Sequence, residues 1–237
     1  MKRKAFIKKT GAVLIAPFVA VSCVTNQEDT AVNPTTTTNS GACKLTDTEE
    51  VGPFPLYEKR DTSIVHTDIT DGKTGVPLNI SITVRNVNTN CNVVPNASVV
   101  IWHCDKDGYY SGYVNQGYLG NQDNTTKTFC RGMATTDASG IVQFKSIYPG
   151  WYQGRATHIH AQIYVGGQLK LSTQMAFPEE INAVVHATDL YKIHGQNTTK
   201  NTTDNVFKDS LSSDLAVVTA NAATGGYDFV HIINISV

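Results

Sequence analysis

Charge is what this chain has least of. Only 16% of its 237 residues are charged, against roughly a quarter in an ordinary soluble domain. The 19 basic and 20 acidic residues leave a net charge of −1. With no excess of either sign there is no global field to draw nucleic acid, and no nucleic-acid partner is expected. Long apolar runs are missing as well: the longest, GAVLIAPFVAV at 11–21, is too short to span a bilayer comfortably. What remains is a hydrophobic fraction of 41%, ample for a core, with abundant Thr and Asn. That composition suits an extracytoplasmic β protein better than a cytosolic helical one.

The first 23 residues do not belong to a fold. MKRKAFIKK makes a cationic start, the apolar run follows, and Ala20, Val21 and Ser22 precede Cys23 in the manner of a bacterial lipobox. Residues 1–22 are therefore expected to be a lipoprotein-type signal peptide, with Cys23 lipidated as the mature N-terminus. A plain secretory peptide cut nearby is the alternative. Arg3-Lys4 lacks the second arginine of a twin-arginine signal, so the export route stays open. Residues 23–42, with TTTT at 35–38, have the composition of a flexible tether. Residues 43–237 are left as the folded domain, at an expected address in the bacterial cell envelope, attached to the membrane through the lipid anchor at Cys23.

Such an address is oxidising. Besides Cys23 the chain carries Cys43, Cys91, Cys104 and Cys130, enough for two disulfides in three connectivities. Cys91 and Cys104 fall at opposite ends of a predicted strand, too far apart to bridge. The expected pairing is Cys43–Cys91 with Cys104–Cys130, free buried thiols being the alternative.

LNISITV (78–84) alternates without a fault and places Leu78, Ile80, Ile82 and Val84 on one face of a half-buried strand. ASVVIWH (97–103) reads as a second strand. MATTD and IVQFKSI flank DASG (137–140) as a hairpin, and HIHAQIYV and QLKLSTQMAF flank Gly166-Gly167 as another. The chain closes on YDFVHIINISV, where Phe229, His231, Ile233, Ile235 and Val237 alternate. Only FPEEINAVVHATDLYK (177–192) has helical character, with Pro178 at its start and Glu179 and Glu180 in the first turn. Many short strands and at most one short helix make an all-β fold, a β-sandwich or barrel. Residues 111–128 are too polar for a core and read as a long surface loop, a common carrier of function.

Chemistry concentrates in PGWYQGRATHIH (149–160). On a strand, His158 and His160 project to one side about 7 Å apart, within reach of one metal ion. An isolated His-x-His is more often plain alternation on a sheet surface, so its company decides. Tyr152 lies on the turn leading into the strand, and Arg155 stands three residues before His158. Strand 97–103 runs into a second tyrosine-dense loop, WHCDKDGYYSGY (102–113). A phenol titrates near pH 10 and is seldom a zinc ligand; a hard trivalent ion can strip its proton at neutral pH. Trp102 and Trp151 read as walls, His103 as structural, and Asp105 and Asp107 as turn-forming acids. His186, His194 and His231 have no spacing that recruits them. Tyr109, Tyr113 and Tyr118 are candidates for the mouth of a substrate pocket, with plain surface tyrosines an equal alternative.

IWHCDKDGYYSGY (101–113) and FCRGMATTDASGIVQFKSIYPGWYQGRATHIH (129–160), preceded by GPFPLY (52–57) and GVPLNISITV (75–84), carry a family likeness. Together they resemble the catalytic domain of the intradiol ring-cleavage dioxygenases, the family of catechol, hydroxyquinol and protocatechuate dioxygenases. The likeness runs from about Cys43 to at least Phe177, in order and with compatible spacings. It implies a β-sandwich core and a non-haem ferric ion, Fe(III), held by Tyr110, Tyr152, His158 and His160. Tyr110 is the match rather than Tyr109 because it lies eight positions after Trp102. The resemblance further implies that Arg155 stabilises charge developing on the substrate ring, and that Gln174 lies near the pocket. Tyr152 would yield its place to the diol and take up one of its protons. The implied partners are a small catechol-type diol and O2, and the implied product is a muconate-type diacid cleaved between the hydroxyls. Loop 111–128 and the residues after Phe177 would select ring substituents. The tether stands where catechol dioxygenases carry a helical dimerisation segment, so an oligomeric state cannot be carried over from them.

Two other classes compete. A non-catalytic, transthyretin-like envelope sandwich would account for the strands, the tether and the disulfides. It gives no reason for Tyr110, Tyr152, Arg155, His158 and His160 to coexist. A zinc hydrolase built on His-x-His leaves the tyrosines unexplained and lacks a carboxylate ligand.

Overall fold

The longest alternation in the chain seeds the first sheet. In the computed structural model, which describes residues 43–56 and 63–237, β1 (Pro77–Asn86) buries Leu78, Ile80, Ile82 and Val84 and leaves the residues between them half-exposed. The signal peptide, Cys23, the tether and Tyr57 lie outside the described residues. The last strand, β11 (Gly226–Ile235), runs parallel to β1 from Leu78↔Tyr227 to Asn86↔Ile235. It buries Phe229, His231, Ile233 and Ile235, the alternation expected of it. Val237 lies beyond the strand and is exposed. Across β11 sits β10 (Val217–Asn221). The other edge of β1 is shared by β7 (Ile141–Ile147) and the short β2 (Asn92–Val93).

The second sheet has the order β6 (Arg131–Thr135), β3 (Ser98–Trp102), β8 (His158–Val165), β9 (Gln168–Ala176). The β8–β9 hairpin turns at Gly166-Gly167, as its pattern indicates. Apolar side chains of the two sheets form one core: Ile80, Ile82, Phe144, Phe229 and Ile233 from the first, Val99, Ile101, Ile159, Ile163 and Met175 from the second. This is the two-layer solution of a β-sandwich. On β8 the period of two sends Ile159, Ala161 and Ile163 into that core, so His158, His160 and Gln162 face the other way. All six are buried. The second sheet therefore needs a cover on its outer face, and loops supply it.

Four expectations need correction. DASG does form a turn, with Gly140 N donating to Asp137 O at 2.9 Å, but it does not join a hairpin. β6 pairs with β3 and β7 with β1, so the chain crosses there from one sheet to the other. Alternation reports which face a strand buries, not which neighbour it pairs with. The Cys43–Cys91 disulfide is present, but Cys104 and Cys130 are separate buried thiols. His103, not Cys104, lies opposite Cys130, its N–H donating to Cys130 O at 3.1 Å. The helix α1 covers Glu179–His186 rather than 177–192; the Thr188 hydroxyl donates to Val185 O at 2.7 Å and helps end it. A second helix, α2 (Leu211–Asp214), is too short for a periodicity signal. Loop 111–128 contains the hairpin β4 (Val114–Gly117) and β5 (Gly120–Asp123). The buried Tyr109 clamps its turn, its hydroxyl donating to Gly120 O at 2.9 Å and accepting from Leu119 N at 2.8 Å. Tyr109 is thus a structural residue.

Alkylation of the denatured, unreduced protein is expected to label Cys104 and Cys130 but neither Cys43 nor Cys91, with no labelling of those two thiols in the native state; peptide mass spectrometry reads both. Replacing Cys43 and Cys91 together by serine should lower stability by about 2–4 kcal/mol in denaturant titration.

Candidate metal centre

The floor of the site is a row of side chains across three strands of the second sheet. Trp102, His160 and Gln174 are register partners on β3, β8 and β9. Trp102 stacks on His160 with ring centroids 4.8 Å apart and planes 5° from parallel. His158 lies one step along the same face of β8.

Two loops close over this floor. Asp105 shapes the first: its Oδ1 accepts from Asp107 N and Tyr109 N, both at 3.0 Å, and Lys73 binds its other oxygen at 2.7 Å. Asn115 then brackets Tyr110, accepting from its N–H and donating to its carbonyl. The second loop is 149–155. Gly150 N donates to Asp105 O at 3.0 Å, and a Cβ on Gly150 would collide with the Lys106 carbonyl. The loops thus dock backbone to backbone, which brings the Tyr110 and Tyr152 rings edge to face at 5.7 Å.

Four polar atoms converge as a result. Tyr110 Oη lies 3.3 Å from His158 Nε2 and 3.1 Å from His160 Nε2, Tyr152 Oη lies 3.2 Å from His158 Nε2, and the two Nε2 atoms are 3.1 Å apart. Bonds of about 2.0 Å from a central ion to nitrogen and oxygen put ligand atoms roughly 2.8–3.3 Å apart. The spacing fits a single metal ion. His158 Nδ1 donates to Ala156 O at 2.6 Å, which fixes the tautomer and leaves Nε2 as a lone pair. His160 Nδ1 is buried and has no partner among the described residues.

Burial keeps the set uncharged. Desolvation, reinforced by Arg155, pushes His158 down to about 3, and desolvation and His158 push His160 well below its ordinary range. Burial holds the Tyr110 phenol far above its usual value. Tyr152 is pushed up to about 12 by burial, with Arg155 pulling against it. Among the described residues no group of three His, Cys, Asp or Glu side chains forms a metal cluster. The donor set is instead two neutral imidazoles and two phenols, and phenols ionise at neutral pH only for a cation of high charge.

Arg155 borders Tyr152. Its Nη2 donates to Gln174 Oε1 at 2.7 Å and its Nε to Asp204 Oδ2 at 2.9 Å. Gln174 is fixed in turn by its Nε2–H bond to Glu50 O at 2.9 Å. Tyr113 sits one ring away from the donors: its hydroxyl donates to Pro55 O, and Phe54 packs between it and Tyr110 at 5.0 Å and 4.8 Å. His103 is structural, bonded to Cys104 O at 2.7 Å and Ser146 Oγ at 2.8 Å. His194 is sandwiched between Trp151 at 3.9 Å and Tyr118 at 4.0 Å. Beside the half-exposed Tyr152 opens a cavity of 540 Å³ whose walls include Trp151, Gln153 and Gln116. Sequence reading missed Phe54, whose φ of 75° places it in the left-handed region at the edge of the site. It also missed Asp204, which stands in NTTDN with no local signal.

Comparison with known proteins follows the same lines. A family model described as Dioxygenase matches residues 53–190. An intradiol ring-cleavage dioxygenase from Tetranychus urticae is 25% identical, with a TM-score of 0.72 over 82% of this chain and 95% of that one. The dioxygenase domain of a dioxygenase carbohydrate-binding protein fusion from Streptomyces sp. SirexAA-E is also 25% identical, with a TM-score of 0.59 over 82% and 99%. Catechol 1,2-dioxygenase from Pseudomonas arvilla C-1, at 20% identity and a TM-score of 0.52 over 81% and 62%, shares the fold. A comparison with curated proteins gives no match.

Gly52 lets the segment before β1 lie against the imidazole floor. Its φ is +70°, and an added Cβ would sit 2.5 Å from His160 Cε1. Gly52→Ala should therefore displace the His160 ring and weaken metal binding about 10–100-fold, the usual effect of disturbing a ligand's support. Metal content after dialysis against a graded chelator checks this.

Proposed function

The chain belongs to the intradiol ring-cleavage dioxygenases, and from that premise we propose that Tyr110, Tyr152, His158 and His160 hold a non-haem ferric ion. On this reading the enzyme opens a catechol-type ring between its two hydroxyls with O2 and yields a muconate-type diacid. The observation that carries it is the convergence of two phenol oxygens and two imidazole nitrogens: His158 Nε2 stands 3.1–3.3 Å from each of the other three, and Tyr110 Oη stands 3.1 Å from His160 Nε2.

When bound, ferric iron supplies Lewis acidity that lowers the diol's pKa and opens the ring to attack by O2. The protein's own groups do the rest. His158 and His160 enter as neutral donors, the first oriented through Ala156 O. Tyr152 is the half-exposed member of the four, whereas Tyr110, His158 and His160 are buried. It is therefore the donor an incoming diol could reach, and its Oη would be placed to take up one of the diol's protons. Arg155, held in plane by Gln174 and Asp204, points positive charge at the neighbourhood of Tyr152, where negative charge on the ring needs stabilising. Phe54, packed at a tilt against Tyr110, covers that side of the pocket against water.

The cationic start, apolar run and lipobox-like Cys23 support export and lipid anchoring in the cell envelope, so the diol would be one met outside the cytoplasm.

Protein loaded with ferric iron should be red to purple from tyrosinate-to-iron charge transfer, and catechol should deepen and shift the band. A colourless, inactive loaded protein would sink the proposal. Tyr152→Phe should weaken the band and slow turnover by roughly 100-fold; wild-type values in both would remove Tyr152 from this role. Cys23→Ser should move the expressed protein from the membrane fraction to the soluble fraction in immunoblots.

A further inference from the structure

The guanidinium beside Tyr152 is not steadied by the turn that supplies it. We infer that Asp204, delivered by residues 197–207, is a positioning residue for Arg155 in ring cleavage. This rests on the role given above to Arg155.

Asp204 is fully buried. Its carboxylate accepts from Arg155 Nε at 2.9 and 3.2 Å, from Ala156 N at 2.6 Å and from Val206 N at 2.8 Å. The two backbone donors lock the carboxylate's orientation, so the arginine must come to it. Gln174 then takes Nη2 at 2.7 Å. Two acceptors on different nitrogens, each held by backbone, leave the guanidinium plane no free rotation. One acceptor alone would leave it a hinge.

Asp204 also reaches the imidazoles through one residue. Ala156, whose N–H it binds, offers the carbonyl that sets the His158 tautomer. The segment that brings Asp204 is itself pinned. Asn197 Nδ2 donates to Arg155 O at 2.8 Å, Asn201 Nδ2 to Phe177 O at 2.8 Å, and Asn201 N to Glu179 Oε1 at 2.6 Å. Those contacts seat the segment on the start of α1 before Asp204 is counted. A buried ion pair contributes little net stability, since desolvation offsets much of its attraction. What it supplies here is direction. Residues 197–207 lie past the stretch matched by the family model, 53–190.

The test is a double-mutant cycle on the iron-loaded full-length protein. Asp204→Asn keeps the shape and removes the charge; kcat should fall roughly 10–100-fold, the usual penalty for a misplaced catalytic group, with KM little changed. In an Arg155→Gln background the same substitution should have no further effect. A second readout needs neither metal nor substrate. Phenylglyoxal should modify Arg155 several-fold faster in metal-free Asp204→Asn than in the wild type, as scored by peptide mass spectrometry. An unchanged kcat, an equal loss in both backgrounds, or an unchanged labelling rate would each overturn the inference. If Asp204→Asn folds poorly, Asp204→Glu keeps the charge at the wrong reach. A kcat loss there that merely tracks lost iron or lost folded protein counts against positioning. If Arg155→Gln itself retains wild-type kcat, the role of Arg155 is what fails, and the labelling rate alone decides whether Asp204 holds it.

Discussion

Everything at this site depends on β8 being buried on both faces. Ile159, Ala161 and Ile163 are locked into the core, and because side chains alternate, His158 and His160 inherit a fixed position on the opposite face. The imidazoles are thus held by hydrophobic packing that they take no part in. Shifting either ring along the sheet would mean slipping the register and turning the apolar row out of the core. That rigidity is what a donor set needs when its atoms must stand within a few tenths of an ångström of a common radius.

The covering loops add the other half, and their joint is Asp105. Its carboxylate organises the turn that carries Tyr110, and its carbonyl receives Gly150 N from the loop that carries Tyr152. Closing the loops also removes water, and desolvation acts on all four donors in the same direction: the imidazoles stay unprotonated and the phenols stay protonated. A pocket in that state offers two ready lone pairs and two protons that leave only for a strongly charged cation. On the proposed function, burial as much as residue identity would favour a hard trivalent ion here.

How much of this could be read along the chain depended on whether the signal was local. β1, β11 and the β8–β9 hairpin were legible because alternation and a Gly-Gly turn are written within a dozen residues. Part of the cluster was legible for a similar reason, since Tyr152, Arg155, His158 and His160 share one turn and one strand, whereas Tyr110 was singled out only by the family resemblance. The crossing at DASG was not legible, because a turn looks alike whether the next strand returns to its own sheet or joins the other. Nor was the state of Cys104 and Cys130, which hangs on a register that puts His103 opposite Cys130. Local pattern also missed the β4–β5 hairpin, whose polar strands are held by Tyr109 rather than by a buried face.

By itself, then, the sequence determined the all-β class and the faces of the long strands, while its family resemblance singled out Tyr110, Tyr152, His158 and His160, whose polar atoms the fold brings together. Periodicity and spacing are properties of neighbouring residues and need no fold to be seen. Tertiary structure alone decided which strands pair, which thiols stay free, and which distant groups support the donors. Glu50, Gly52 and Phe54 reach the site from one stretch of chain and Asp204 from another, some 150 residues on. Nothing in their local sequence marks that meeting, because contacts between segments far apart are set by how the sheets stack and where the loops must cover them.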